Sequence, residues 1–277
     1  VYAVDVLRGT KGQPDYDPAF EEALAYGAKV IGKAVTPAAT KNFSLDGNRW
    51  TYRDGDFEMS GILLKPEGKG PFPAVLISHG LGGSAESFGL NKAREFVQWG
   101  LVCIAPNYTH NVRAAGKRPG TPATAQTNYG ASEENLRRAR TCIELLRAMP
   151  DVDPKRIVAY GHSMGGFVTI GLAATMPDAL KAAAITGSGV APRAGFPAPS
   201  VELARKLRPP FLILHGSNDP VVRPEQSAAL KEVLDRNHVP NERRLFEGEG
   251  HPIDQTRRDE VFRLIRQWFV QYGVLTK

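Results

Sequence analysis

The sequence lacks the features that define several classes of protein. Its 277 residues include only two cysteines, no run of about eighteen uncharged apolar residues, and no repeat with a period of about twenty to fifty residues. These absences argue against a membrane-spanning segment and against a repeat architecture. Two cysteines are also too few to decide the compartment by their number alone.

The two cysteines lie in apolar surroundings along the sequence. Cys103 falls in the apolar run 101–105, and Cys142 falls on the apolar face of a helical pattern. This placement predicts two buried free thiols, with a disulfide or a reactive cysteine as the alternatives. The chain begins at Val1 rather than at methionine, as after removal of a signal peptide or trimming of the chain. We therefore expect a secreted or periplasmic protein rather than a cytoplasmic one.

The net charge of +6 comes from scattered basic residues. The densest group, at 137–140, lies in a helical pattern, which favours a solvated helix face over a nucleic-acid site. The hydrophobic fraction of 42% is ordinary for a globular protein. We expect no nucleic-acid partner and no membrane span, and the sequence leaves the oligomeric state open.

From residue 73 onward, short apolar runs alternate with longer amphipathic segments. Apolar runs suit parallel strands covered on both faces, so the alternation predicts a doubly wound α/β fold with a mostly parallel sheet of about eight strands. The dipeptide Asp54-Gly55 predicts a hairpin that forms an antiparallel N-terminal edge. The predicted strands are 48–53, 57–64, 73–78, 101–105, 156–160, 180–186, 211–215 and 242–246, and the predicted helices are 86–99, 132–149, 163–175, 224–236 and one around 261–269.

The length fits a single α/β domain over 1–277, with residues 1–44 as an N-terminal extension packed on it. Two long stretches, 107–129 and 187–210, interrupt the alternation after strands. Open α/β sheets bind ligands at the carboxyl ends of their strands. The stretch 187–210 is accordingly predicted to form a small lid or binding loop.

One short motif has the sequence context of a catalytic nucleophile. Residues 161–165 match the pattern Gly-x-Ser-x-Gly, directly after a predicted strand and directly before a predicted helix. This context is the one required of a nucleophile elbow, in which a sharp turn exposes the serine above the sheet. Gly161 and Gly165 must be small because side chains there would collide with the backbone. Ser163 is therefore the candidate nucleophile, although a glycine-rich turn closing a strand and helix is the alternative.

A serine hydroxyl needs a base, and the base needs a partner that orients it. His251 follows the last predicted strand, and Asp219 follows the strand before it. The chain order Ser163, Asp219, His251 is the one expected when this triad is built on an α/β sheet. Asp254 is a rival for the orienting role, but it lies close to His251 in sequence and could instead cap the last helix.

Acyl transfer also requires donors for the tetrahedral oxyanion. The backbone N–H of Met164 follows the nucleophile and supplies the first candidate. The second is the N–H of Leu81 in the run 79–83, a glycine-rich turn after a buried strand. A phosphate cradle is the alternative for this run, but the lysine and hydroxyl residue of a P-loop are missing.

Taken together, these motifs resemble the dienelactone hydrolase-like branch of the α/β-hydrolase superfamily. The resemblance begins near residue 57 and implies the α/β-hydrolase fold and a catalytic triad. Dienelactone hydrolases carry cysteine at the elbow, so Ser163 favours ordinary esters as substrates. The elbow is also similar to that of cutinase-like polyester hydrolases. The matching segments are ISHG at 77–80, DPKRI at 153–157, GHSMGG at 161–166, LHGSNDPVV at 214–222 and GH at 250–251.

We therefore expect serine-dependent hydrolysis of small or polymeric carboxylic esters through an acyl-enzyme, without a cofactor or a metal. A peptidase or amidase with the same triad is the alternative enzyme. A metal site made of His79, His162 and His215 and a non-catalytic binding protein are alternatives of other classes, although no metal-binding spacing is present. The candidate substrate-pocket residues are Tyr108, Phe88, Tyr129 and Phe196.

Overall fold

The computed structural model describes residues 42–111, 128–191 and 197–276. The chain divides into two compact units, Val1–Asn42 and Phe43–Lys277, and the fold described below belongs to the second. The packing predicted for the N-terminal extension therefore lies outside the described residues, as does Phe196. Of the predicted lid at 187–210, residues 192–196 also lie outside them.

A mixed sheet forms the centre of this second unit, and the described residues contribute nine strands to it. The pairs β1–β2, β2–β3 and β3–β5 are antiparallel, whereas β5, β4, β6, β7, β8 and β9 form a parallel series. Their order in space is β1-β2-β3-β5-β4-β6-β7-β8-β9. The strands are β1 (Phe43–Asp46), β2 (Arg49–Asp54), β3 (Phe57–Leu64), β4 (Phe72–Ser78), β5 (Val102–Pro106), β6 (Val152–His162), β7 (Ala182–Thr186), β8 (Phe211–Gly216) and β9 (Asn241–Phe246).

This arrangement confirms the predicted α/β class, the mostly parallel sheet and its antiparallel N-terminal edge. The hairpin predicted at Asp54-Gly55 joins β2 to β3, with Asp54 opposite Phe57 and Gly55 at a φ of 58°. Strand β1 lies partly within the predicted extension and raises the strand number from about eight to nine. It escaped prediction because three of its four residues are exposed, so it has no apolar alternation.

Helices cover both faces of the parallel strands. The predicted helix at 86–99 consists of three pieces: a π-helical turn (Ala85–Gly89), helix α1 and a 3₁₀ turn (Val97–Trp99). The Ser84 side chain caps the first piece by accepting the backbone N–H of Ser87. The α-helices are α1 (Leu90–Phe96), α2 (Glu133–Ala148), α3 (Met164–Thr175), α4 (Val201–Ala204), α5 (Pro224–Arg236), α6 (Ile253–Thr256) and α7 (Arg258–Gln271).

The two faces of the sheet bury apolar helix surfaces. On one face, Phe96 of α1 lies 5.6 Å from the ring of Tyr160 on β6 and 5.4 Å from that of Phe262 on α7. Such buried aromatic side chains contribute a large share of the hydrophobic stabilisation. Cys103 and Cys142 are both buried and unbridged, as predicted, and burial raises the pKa of each thiol.

The described residues include no helix that is both long and apolar enough to cross a bilayer. The longest, α2, has 16 residues and carries charged side chains along one face.

Candidate active site

Four loops bring the candidate site residues to one edge of the sheet. Because β4, β6, β8 and β9 are parallel, their carboxyl ends lie on the same side. Leu81 follows β4, Ser163 follows β6, Asp219 follows β8 and His251 follows β9. Residues that are up to 170 positions apart in sequence, from Leu81 to His251, thus share one edge.

Ser163 occupies a strained turn between β6 and α3. Its φ is 54° and its ψ is −121°, a conformation that residues with a side chain rarely adopt. A Cβ on Gly161 would lie 2.2 Å from the carbonyl oxygen of Gly165, and one on Gly165 would lie 2.0 Å from that of Ser78. The backbone therefore admits only glycine at both positions, which gives the motif its sequence pattern. The turn has the geometry predicted for a nucleophile elbow.

His251 and Asp219 are joined by a short hydrogen bond. The Nδ1 atom of His251 donates to Oδ2 of Asp219 over 2.7 Å, and the carboxylate is fully buried. The other oxygen, Oδ1, accepts the backbone N–H groups of Val221 and Val222 at 2.8 and 3.0 Å. Burial opposes ionisation of Asp219, but these three hydrogen bonds outweigh it and hold its pKa below the ordinary value. With Nδ1 bound to the carboxylate, Nε2 of His251 is the other ring nitrogen, and it has no hydrogen-bond partner among the described residues.

The end of strand β7 lies between Ser163 and the histidine. The N–H of Ser163 donates to the carbonyl of Thr186 over 3.0 Å, and a Cβ on Gly187 would lie 3.1 Å from Nδ1 of His251. A glycine at 187 therefore lets the imidazole approach the elbow. Within the described part of the chain, the Ser163 hydroxyl has no hydrogen-bond partner. Serine–histidine bonds are often long in unliganded enzymes and tighten with substrate.

Asp254, the rival orienting residue, is paired with a lysine instead of His251. Its Oδ2 atom lies 2.7 Å from Nζ of Lys92, and both side chains are almost completely buried. The structure thus brings Asp219, and not Asp254, into contact with His251.

The loop after β4 lies against the nucleophile. A Cβ on Gly80 would lie 3.1 Å from Cβ of Ser163. In this loop the N–H of Gly82 donates to the carbonyl of His110, and that of Gly83 donates to the carbonyl of Gly80, both over 3.1 Å. By contrast, the N–H groups of Leu81 and Met164 have no acceptor among the residues that the structure describes. One of these donors thus follows Ser163 directly in the chain, and the other follows Gly80, which contacts Ser163.

Three further histidines have structural partners. His79 accepts the N–H of Tyr108 on Nε2 and contacts the carbonyl of Gly80 through Nδ1. His110 contacts the carbonyl of His79 at 2.9 Å, and His215 contacts that of Val222 at 2.8 Å. Burial lowers the pKa of His79 to about 4, that of His110 to about 3, and that of His215 below its ordinary value. These rings are therefore neutral at pH 7 and already engaged.

The buried histidines predict a loss of stability in mild acid. His79, His110 and His162 have pKa values of about 4, 3 and 4 when folded, against 6.5 when exposed. The unfolded chain binds more protons below pH 6.5, so stability present above that pH is lost as the pH falls towards 4. Each ring should contribute about 1.4 kcal/mol per pH unit in this window. Urea unfolding at pH 7, 6 and 5 measures the slope. An unfolding free energy that stays constant from pH 7 to 5 would contradict this account.

A cavity of about 610 Å³ opens beside the loop 80–83 and the elbow. Phe88, a predicted pocket residue, lines it together with Lys92, His162 and Arg258. Tyr108 is only 2% exposed and donates or accepts a hydrogen bond with Ser78, so it packs inside the domain. The remaining predicted residue in the described ranges, Tyr129, lies 6.4 Å from the ring of His110.

The structure adds residues that sequence reasoning did not single out. Thr186 accepts the N–H of Ser163 on its carbonyl and contacts Nδ1 of His162 with its hydroxyl, at 3.0 Å in each case. The Ser188 hydroxyl donates to the carbonyl of Ser163 over 3.0 Å. In the sequence, the one indication of these two residues is that both carry a hydroxyl group and stand at or just after the end of an apolar run. Across the described residues, no group of three histidine, cysteine or acidic side chains is placed to hold a metal ion.

The sheet order, the strained elbow and the Asp219–His251 pair together define a member of the α/β-hydrolase superfamily. The family profile described as "Dienelactone hydrolase family" matches residues 59–268. The chain belongs to the dienelactone hydrolase family and is a hydrolase of that family.

Individual relatives are more distant. A protein of Nocardia uniformis subsp. tsuyamanensis, provisionally named esterase NocK, is 31% identical over 166 residues, covering 58% of this chain and 43% of that protein. The uncharacterised peptidase YtmA of Bacillus subtilis is 23% identical over 247 residues, covering 78% of this chain and 90% of that protein. The chain spans between 40% and 60% of the length of the first curated relatives that it matches.

Among solved structures, native esterase 2 of Thermogutta terrifontis superposes with a TM-score of 0.62 at 19% identity. The match covers 89% of this chain and 98% of the esterase. At this identity the likeness concerns the fold alone.

Proposed function

We propose that this protein hydrolyses carboxylic esters through an acyl-enzyme on Ser163. The observation that carries the proposal is the strained elbow serine beside an imidazole that a buried carboxylate orients over 2.7 Å. Such a constellation activates a hydroxyl that is otherwise a weak nucleophile. The esterase names among the relatives support an ester as the substrate.

In the proposed mechanism, Nε2 of His251 accepts the proton of the Ser163 hydroxyl as its oxygen attacks the ester carbonyl. Asp219 accepts the Nδ1–H of the imidazole, fixes its tautomer and stabilises the imidazolium that forms. The imidazolium then gives its proton to the departing alkoxide, which leaves an acyl-enzyme and the free alcohol. Water repeats the sequence on the acyl-enzyme and releases the acid.

The oxyanion of each tetrahedral intermediate accepts the N–H groups of Leu81 and Met164. These two donors are proposed because both lack an acceptor within the described ranges and lie beside Ser163. The next residue in the loop, Gly82, already donates its N–H to the carbonyl of His110. Preorganised donors of this kind stabilise charge that develops only in the transition state.

Replacing Leu81 with proline tests the loop donor. Proline removes the N–H, so turnover should fall by about two to three orders of magnitude. Leu81→Ala is the matched control because it keeps the donor, and the native side chain is 54% exposed. Its turnover should stay near that of the native protein. Turnover of a chromogenic ester is the measurement, with the melting temperature as the check on folding. A folded Leu81→Pro protein that turns over esters normally would remove Leu81 from the mechanism.

A peptidase or amidase is the second candidate, because YtmA, named a peptidase, aligns over 90% of its own length. The same triad can cleave either bond, but an ester has the better leaving group. A matched pair of substrates with one acyl group, an aryl ester and the corresponding anilide, separates the two. We expect kcat/KM to favour the ester, and a comparable or larger value for the anilide would favour the peptidase.

A further inference from the structure

A buried lysine connects two segments that flank the candidate site. Lys92 lies on α1, which follows the loop 80–83 in the chain. Asp254 lies on α6, three residues after His251. The lysine side chain is 2% exposed and the aspartate side chain is fully buried. The Nζ atom lies 2.7 Å from Oδ2 of Asp254 and also donates to its backbone carbonyl over 3.0 Å. One ammonium group thus holds both the side chain and the backbone of α6.

Two aromatic rings fix the position of this ammonium. Nζ of Lys92 lies 5.2 Å from the ring centroid of Phe88 and 5.5 Å from that of Phe262. Both distances suit a cation–π interaction. Arg258 and Glu95 are the other charged groups that act on Lys92, and they oppose one another. The lysine side chain therefore lies between the π-helical turn, α6 and α7, and Asp254 is the charged group that acts on it most strongly.

Asp254 also faces the elbow. Its Oδ1 atom lies 3.6 Å from Nδ1 of His162, the residue before the candidate nucleophile. The rings of His162 and His251 are 4.8 Å apart and inclined by 46°. Burial lowers the pKa of His162 to about 4, Asp254 and Asp219 act to raise it, and His251 and Lys92 act to lower it. The lysine and the aspartate therefore have opposite effects on a ring that touches the general base.

We propose that Lys92 is a positioning residue for the reaction: it anchors the segment after His251 and cancels the Asp254 charge, so that a neutral His162 packs against His251. This inference rests on the proposed role of His251 as the general base. A protonated His162 would place a second positive charge beside the imidazolium that forms during acylation. Neutral His162 therefore favours the proton transfer on which the mechanism depends.

The test replaces Lys92 with methionine, which keeps the length of the side chain and removes its charge. Asp254 would then lack its cation, and the pKa of His162 should rise by about one unit or more. NMR titration of histidine-labelled protein measures this shift without any turnover. In the pH–rate profile, the acid limb of kcat should move to higher pH, with KM changed by less than about threefold. Because His162 would be half protonated near pH 5, the loss of kcat at pH 5 should exceed the loss at pH 9 by about twofold or more.

Asp254→Asn should have the opposite effect, because it removes the anion that raises the pKa of His162. The His162 titration should move to lower pH, and in the double variant it should return towards the native position. Lys65→Met is the matched control. Lys65 pairs with Asp151 over a similar distance of 2.8 Å, but the pair is partly exposed and lies at the far end of the sheet from the site. Its loss should leave both the His162 titration and the profile unchanged.

Several outcomes would overturn the proposal. In a folded Lys92→Met protein, an unmoved His162 titration and an unmoved acid limb would make the lysine a purely structural residue. If Lys92→Met does not fold, Asp254→Asn decides the question, because an unmoved His162 titration there contradicts the charge relation equally. A shifted His162 titration combined with full activity of Ser163→Ala would instead support the charge relation and reject the proposed function. The two failures are thus distinguishable.

Discussion

Ser163→Ala is expected to fold normally and to lose nearly all ester hydrolysis, a fall of about four or more orders of magnitude in kcat. The elbow conformation explains both parts of this result. The backbone of Ser163, with its φ of 54°, is held by the close packing of the neighbouring glycines and by the bond from its N–H to Thr186. None of these contacts involves the hydroxyl, so alanine can occupy the same backbone. Only the hydroxyl, the group proposed to attack the substrate, is lost. The measurement is kcat for a chromogenic ester, alongside thermal unfolding.

Ser188→Ala is a useful control for this variant. Ser188 is also buried near the elbow, and its hydroxyl donates to the carbonyl of Ser163. It supplies no group to the reacting atoms, so its loss should be far milder than the loss of Ser163. Near-native activity in a folded Ser163→Ala protein would reject the nucleophile and with it the proposed mechanism.

His251→Ala should produce a loss of similar size, because a triad acts as a unit and removing the base costs about as much as removing the nucleophile. His238→Asn is the matched control, since His238 is exposed and has a φ of 55°, which asparagine tolerates. It should keep native kcat. Replacing His79 or His215 with alanine should also reduce turnover less than replacing His251 does. The opposite ranking in folded proteins would overturn the assignment of the base.

Much of the fold and the core of the site could be predicted because they depend on local chemistry. The hairpin at Asp54-Gly55 needs a residue that tolerates positive φ, and the sequence supplies glycine. At the elbow, a Cβ atom on Gly161 or Gly165 would lie about 2 Å from a backbone oxygen, so both positions require glycine and the pattern is visible in the sequence. The order of Ser163, Asp219 and His251 then follows from the parallel strands that precede them.

Other features could not be predicted because they join distant residues. The bond between Lys92 and the carbonyl of Asp254 links positions 162 apart, and neither residue belongs to a recognisable motif. The sequence predicts Leu81 as the loop donor, but it does not show that the carbonyl of His110 accepts the N–H of the neighbouring Gly82. Strand β1 is defined by its hydrogen-bonded pairing with β2, and its own sequence has no apolar alternation. Packing decides all three, and packing requires the folded chain.

The central claim is that an acyl group is carried on Ser163, and covalent trapping tests it most directly. The protein is treated with an organophosphate that mimics the tetrahedral intermediate, and the modified peptide is located by mass spectrometry. One adduct per chain, on Ser163, is the predicted result, with slower labelling in His251→Ala and none in Ser163→Ala. An adduct on another residue, or native labelling of the Ser163→Ala protein, would contradict the account.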